Sequence, residues 1–300
     1  MTDALDDIAG ILERTGEYRV LRRLKAFAPE ALAPKEVPEE PTFLGLVLDT
    51  ETTGLDPATD EVIELGIIAF TYGPSGRIYR VRHRLNQLQQ PSKPIPDVVT
   101  RLTGITDADV AGQRIDDAAV EALAAQARVV IAHNARFDRR MCEERWPVFA
   151  GLNWACSCHQ IPWREEGHEA ARLGGLLADH GYFHNGHRAI DDCEALLWLL
   201  ARPLRTSGRL ALAALLEAAR RPTVRLWASD APFALKDRLK DRNYRWSSRR
   251  RCWYIDLDEA QLEIERSFLS REIYGGALPG LPADRFTARD RFSTRTDPEA

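Results

Sequence analysis

Residues 43–55 read FLGLVLDTETTGL, an apolar run of strand length that ends in Asp49, Thr50, Glu51, Thr52, Thr53 and Gly54. In an extended chain residues i and i+2 project from the same face, so Asp49 and Glu51 point together. Two adjacent carboxylates repel, and a hydrophobic core offers them no compensation. A divalent cation does, because hard ions such as Mg²⁺ prefer oxygen ligands. A solvated strand end is the plainer account of the pair, and this stretch alone leaves both open.

On either side of this stretch the pattern is that of an α/β domain. VIELGIIAFTY (62–72) and RIYRVRHRL (77–85) read as two strands joined by the turn GPSG (73–76). RIDDAAVEALAAQ (114–126) reads as an amphipathic helix, and ARVVIAH (127–133) as another buried strand. Helical patterns follow from 134 to 221, interrupted by an edge strand at WACSCHQ (154–160). Three strands, a helix, a strand and a helix in that order predict a mixed sheet. Upstream, residues 7–25 carry a helical apolar pattern, and APEALAPKEVPEEP (28–41) reads as an extended linker. A second α/β unit starts near Pro222, and the Gly/Pro/Arg/Asp-rich tail from Gly275 is expected to be disordered. The expected division is an N-terminal helix and linker (1–42), a larger domain (43–221), a small module (222–274) and a tail (275–300).

Composition bounds the class. Hydrophobic residues make up 44% and charged residues 29% of the 300, ordinary for a globular chain with a real core. A net charge of −4 and a pI near 6.0 do not announce a nucleic-acid partner, yet an acidic site and a basic face can cancel in such a sum. The five scattered cysteines and an acidic start without a long apolar run predict a reduced, cytoplasmic protein with free thiols and no membrane span. Cys156-Ser-Cys158-His159 lacks the second ligand pair that a structural zinc site needs.

Two further clusters carry acids at strand–helix junctions. His133-Asn134-Ala-Arg-Phe137-Asp138 follows the strand 127–133 and places Asp138 in the first turns of a helix, where an acid also stabilises the helix dipole. His187-Arg-Ala-Ile-Asp191-Asp192 enters the apolar helix CEALLWLLA, and Asp191 there doubles as a candidate helix cap. The histidines His83, His159, His168, His180 and His184 show no partner pattern and read as structural or surface groups.

Together the three pieces resemble the DEDD exonuclease superfamily in its histidine-bearing branch, which includes replicative proofreading subunits, RNase T and oligoribonuclease. The matching motifs are DxETTGL at 49–55, HNAxFD at 133–138 and HxAxxD at 187–192, and RLTGITDADV (101–110) is similar to a further segment of the proofreading subunits. The tyrosine-bearing branch has Tyr four residues before the last Asp, where this chain has Arg188. The resemblance, covering residues 43–202, implies a ribonuclease-H-like fold with a five-stranded mixed sheet flanked by helices. It also implies that Asp49, Glu51, Asp138 and Asp192 hold two Mg²⁺ or Mn²⁺ ions, that His187 is the general base, and that nucleoside 5′-monophosphates leave from a 3′ end. Thr53, Leu55, His133, Asn134 and Phe137 would grip the terminal nucleotide, although each suits a core or turn role equally well.

The second unit adds a basic, aromatic segment. Lys236–Tyr254 holds eight Lys/Arg and two Asp, interleaved with Tyr244, Trp246, Trp253 and Tyr254. Arginines neutralise phosphates and aromatic faces stack on bases, so Arg249, Arg250 and Arg251 on a turn are expected to hold a nucleic-acid strand. A solvated turn over a small core is the alternative. Single-stranded DNA 3′ ends are the expected partner, with RNA ends second and a catalytically inactive binding protein third. No sliding-clamp peptide is evident, and protein partners are not indicated by sequence.

Overall fold

The structure is a computed structural model that describes residues 2–28, 40–276 and 280–299. Helix α1 (Thr2–Arg14) and the short strand β1 (Arg22–Arg23) precede the expected linker, most of which lies outside the described residues. Strands β2 (Phe43–Thr52), β3 (Val62–Tyr72) and β4 (Ile78–Leu88) form an antiparallel meander. Helices α2 (Asp97–Thr103), α3 (Asp107–Val110) and α4 (Asp117–Gln126) lead to β5 (Val129–Ala132). Then come α5 (Ala135–Arg145), β6 (Trp154–Cys156), α6 (Ser157–Gln160), α7 (Leu173–Asp179), β7 (Tyr182–Phe183), α8 (Ala189–Leu200) and α9 (Ala211–Arg220).

The main sheet runs β4-β3-β2-β5-β6, with β5 parallel to β2 and β6 parallel to β5. This is the five-stranded mixed sheet of the expected ribonuclease-H-like fold. β3 is apolar but for Glu64 and, near its end, Thr71, because both faces of the sheet are covered. One face packs Val47, Ile68 and Ile131 against α7, α8 and α9, and the other packs Leu46, Leu48 and Val130 against α4 and α5. Residues 154–160, expected to be one edge strand, pair only over Trp154–Cys156 before turning into α6.

One glycine sets how closely α8 approaches. Gly66 of β3 lies directly opposite Asp49 of β2. A Cβ on Gly66 would stand 2.5 Å from the carbonyl carbon of Ala189, so the bare backbone lets the first turn of α8 rest on the sheet. That contact delivers Asp192 to Asp49.

The second unit contains β8 (Thr223–Ala228), α10 (Lys236–Asp241), β9 (Arg245–Ser247), β10 (Cys252–Asp258), α11 (Leu262–Phe268) and β11 (Ala283–Phe286). Its antiparallel sheet runs β11-β8-β10-β9 over a core that includes Val224, Leu226, Leu239, Leu257 and Leu269. The tail expected to be disordered is instead built over residues 280–299. β11 pairs with β8, and the chain then returns to the first unit, where the Ala288 carbonyl accepts from the Trp154 N–H at 2.8 Å. The fully buried Arg139 guanidinium of α5 donates to the carbonyls of Arg291 (2.7 Å) and Arg289 (2.6 Å), and to Glu143. No apolar pattern announces such docking, because main-chain carbonyls make it.

Removing residues 287–300 should therefore leave the Arg139 guanidinium with Glu143 but without its main-chain carbonyl partners, and destabilise the first unit by about 1–3 kcal/mol. Urea melts monitored by tryptophan fluorescence check this, and an unchanged midpoint would show that the tail is dispensable. Gly66→Ala should cost about 1–3 kcal/mol in the same assay through overpacking against α8.

Candidate metal and catalytic site

The C-terminal end of β2 carries Asp49 and Glu51 on the face that meets α8. Ligand oxygens of Asp49, Glu51 and Asp192 all lie within 4.8 Å of one another. Asp138 is buried beside them on α5 but falls outside that group, because its Oδ1 accepts from the Thr50 N–H (3.0 Å) and the Thr50 hydroxyl (2.9 Å). Thr50, between the two acids on the opposite face of β2, thus anchors the third acid of the sequence motifs.

Burial and mutual repulsion oppose ionisation here. Burial first, then the charges of Asp138, Asp192, Glu51 and Glu64, push Asp49 well above the usual carboxylate range. Glu51 is raised to about 8, by burial first and then by Asp192, Glu64 and Asp138, with Arg188 partly offsetting them. Burial raises Asp138 to about 7 against the lowering effect of the Thr50 hydrogen bonds. The thiols of Cys142 and Cys193, buried beside these acids, are also pushed up, which makes them poor nucleophiles. Acids crowded at one point, all with oxygen donors, suit a hard divalent cation.

A buried acid outside the three motifs supports the arrangement. Glu64 is 0% exposed and stands opposite Glu51 across the β2–β3 pair. Its carboxylate accepts from the Arg188 guanidinium (3.0 Å) and from the Ala189 N–H (3.1 Å) at the start of α8. Glu64 was not singled out from sequence, where it is one acid inside VIELGIIAF. Its signal was the lone charge in a run otherwise buried on both faces.

The histidines divide unexpectedly. His187 is exposed on the loop before α8 with φ +63°, in the left-handed region that non-glycine residues seldom occupy. The imidazole that touches the acids is His184, whose Nε2 lies 2.9 Å from Asp192 Oδ1. The Arg188 N–H donates to the other Asp192 oxygen at 3.1 Å. The reading of His184 as a surface or structural group is thus corrected, and a cation on Asp192 must share or displace its contact. Asp191 accepts no capping bond, and α8 has no side-chain cap.

The five residues expected to hold the terminal nucleotide are placed unequally. Leu55 is 83% exposed at the head of the loop 53–61. Thr53 closes that loop by accepting from the Glu61 N–H at 2.9 Å, and a Cβ on Gly54 would collide with the Asp60 carboxylate. His133 spends both ring nitrogens internally, on the Ser157 hydroxyl (2.8 Å) and the Ala171 carbonyl (2.7 Å), and burial lowers its pKa. Asn134 is exposed with φ +80° at the start of α5, and Phe137 packs against the core. Arg249, Arg250 and Arg251 are exposed far along the chain on the β9–β10 turn, with Arg250 4.2 Å above the Trp227 ring.

Comparison with known proteins bears on this geometry. Residues 46–200 match the exonuclease family model RNase_T. The chain is 35% identical over 118 residues to a DNA polymerase III PolC-type protein of Thermotoga petrophila, covering 39% of this chain but only 8% of that one. It is 29% identical over 161 residues to the DNA polymerase III subunit epsilon of Treponema pallidum, covering 50% of this chain and 72% of that one. Exonuclease X in complex with 5′ overhanging duplex DNA superposes with a TM-score of 0.42 at 24% identity, over 58% of this chain and 99% of that chain. Among the described residues, no helix is long and apolar enough to cross a membrane.

The raised acids set the sign of a pH effect. The folded Glu51 carboxyl keeps its proton up to about pH 8, whereas an unfolded one, near 4.5, does not. Unfolding between these values releases a proton, so metal-free stability falls as pH rises through that window. Glu51→Gln should match wild type at pH 4 and melt about 2–4 °C higher at pH 8 in EDTA, a shift equivalent to about 1 kcal/mol. Mg²⁺ should raise the wild-type melting temperature more than that of the variant. Equal Mg²⁺ shifts in both proteins would contradict a site that includes Glu51.

Proposed function

We propose, from the premise that this chain belongs to the RNase T-type exonuclease family, that it releases nucleoside 5′-monophosphates from DNA 3′ ends by two-metal-ion hydrolysis. The observation that carries the reading is the convergence of the Asp49, Glu51 and Asp192 oxygens within 4.8 Å, with Asp138 buried alongside. These four acids would hold two Mg²⁺ or Mn²⁺ ions. Bound there, the cations would supply Lewis acidity, activating water and offsetting charge on the phosphoryl oxygens. The catalytic unit would span 43–221 and the strand-holding module 222–274.

The chain's own groups have separable tasks in this proposal. His187, exposed on the loop before α8, takes the proton from the attacking water as its oxygen adds to phosphorus. The bond from phosphorus to the 3′ oxygen breaks, and that oxygen leaves with a proton from solvent. Arg188 and Glu64 hold the start of α8 and so fix the loop that carries His187. Leu55, Thr53, Asn134 and Phe137 border the terminal nucleotide, Leu55 as an apolar wedge beside the last base. His133 contributes the ring face left after both its nitrogens are used. The names of the similar proteins, parts of DNA polymerase III, favour DNA over RNA.

Product sizing on matched 5′-labelled and 3′-labelled DNA and RNA oligomers tests this reading. Wild type should shorten 5′-labelled DNA one nucleotide at a time and release labelled mononucleotide first from the 3′-labelled strand. Asp192→Asn should lose at least about 10³-fold in rate, and adding Asp49→Asn should cost little more, because groups that act as a unit are non-additive. His187→Ala should lose about 10²–10⁴-fold without weakening strand binding. Preferred cleavage of RNA would transfer the assignment to exoribonuclease, and near-wild-type rates in Asp192→Asn would remove the acids from the chemistry.

A further inference from the structure

The acidic end of the tail occupies basic positions on both units. Arg136 and Arg140, one turn apart on α5, both donate to Asp297 Oδ2, Arg136 at 2.8 Å. The Arg140 Nε is buried with no hydrogen-bond partner among the described residues. Two residues further on, the Glu299 carboxylate accepts from the backbone N–H groups of Ser248 (3.0 Å) and Arg249 (3.3 Å) and from the Ser248 hydroxyl. Consecutive backbone N–H groups on a tight turn and paired guanidinium groups are two standard anion receptors. Here each receptor holds a carboxylate of the same chain.

The surroundings extend this pattern. A cavity of about 830 Å³ between the two units is bordered by Arg136 and Arg140, and one of about 610 Å³ by Arg249 and Arg250. The two share Arg225, Phe286 and Thr296 in their walls, and Asp297 and Pro298 line the second. Acids also line these walls, Glu217, Asp256 and Asp258 in the first and Asp284 in the second, so Arg136, Arg140, Arg249 and Arg250 sit on surfaces of mixed charge.

We propose that Arg136, Arg140 and the backbone N–H groups of Ser248 and Arg249 form a phosphodiester-binding site for the strand upstream of the cut, occupied in cis by Asp297 and Glu299. The carboxylates stand where phosphate oxygens would be received. The inference rests on the reading of the chain as a single-strand exonuclease and adds a second anchoring point, with a built-in competitor. The remainder of the tail need not move, because Arg139 and Arg291 hold residues 288–291 by separate contacts. Only the segment after Thr296 has to lift.

The competitor gives the test its sign. Asp297→Asn with Glu299→Gln keeps the shape of the tail and removes its charge. This variant should bind a fluorescein-labelled dT20 about three- to tenfold more tightly than wild type at low salt, in EDTA to prevent cleavage, because a mostly buried Asp297 and an exposed Glu299, each a single charge, are modest competitors. In an Arg136→Ala/Arg140→Ala background, long-strand affinity should fall, and the Asp297→Asn part of the gain should vanish with its partners. Glu299→Gln alone, an isosteric change at an exposed side chain, should tighten binding about two- to threefold. Unchanged or weaker binding in both the double and the single tail variants would overturn the proposal and leave the tail as a strap only. Hydrolysis of the p-nitrophenyl ester of thymidine 5′-monophosphate by wild type is measured in parallel. Its absence would count against the exonuclease reading itself, whereas normal hydrolysis with unaltered dT20 affinity would count against this site alone.

Discussion

Everything near the end of β2 answers to the repulsion among buried carboxylates. Asp49, Glu51 and Asp192 are packed within 4.8 Å, and Asp138 and Glu64 add charge from either side. Such a cluster persists in a fold only if each acid is neutral, hydrogen-bonded or paired. The structure uses all three devices. Asp49 and Glu51 are pushed toward protonation, Thr50 gives Asp138 two hydrogen bonds, and Arg188 pairs with Glu64. Proton retention near neutral pH makes the cluster a reserve that a divalent cation can discharge, so metal affinity, stability and pH are linked through the same oxygens.

The strands of the meander, the mixed character of the sheet and the carboxylates were legible in sequence because each leaves a local mark, whereas the order of the strands does not and came from the fold. FLGLVLDTE announces a buried strand ending in acids, and HNARFD and HRAIDD place an acid at the start of a helix. Glu64 escaped because a charge inside an apolar run has no local reason to be there; its reason is the Arg188 side chain more than a hundred residues away. His184 escaped because the loop between β7 and α8 can present either of two imidazoles, and the backbone path decides which one meets Asp192. His187 occupies a left-handed conformation, and only the folded loop reveals that.

The tail was misread for a different reason. Composition forecasts disorder when a segment cannot bury enough apolar surface. Residues 287–299 place Phe292 against the core and supply main-chain carbonyls to the buried Arg139. Arg139 follows Asp138 directly in α5, and in sequence it looks like one more solvated helix charge. In the fold it is fully enclosed and read by three carbonyls of a segment about 150 residues downstream. Arg291 does the same in reverse, donating to the carbonyls of Ala219 and Arg221 where the two units join. A guanidinium suits this work because its planar set of donors serves several carbonyls at once and stays charged when buried.

These contacts give the two units a mechanical relationship. Asp138, a candidate metal ligand, and Arg139, an anchor of the tail, are consecutive residues of α5, one bonded to Thr50 of β2 and the other to the tail. The tail that holds Arg139 also contributes β11 to the second sheet and ends on the Ser248–Arg249 turn. The Ser248–Arg249 turn is thus joined through the tail to the helix that carries Asp138. The ties of the acids are local: Thr50 holds Asp138 to β2 through two hydrogen bonds, and Gly66 lets α8 seat directly on the sheet. The acids are thus held through the sheet, while Arg136, Arg140 and the Ser248–Arg249 turn are held by the tail. Local stability tracks such contacts, so opening should begin at the tail and leave the carboxylates in place.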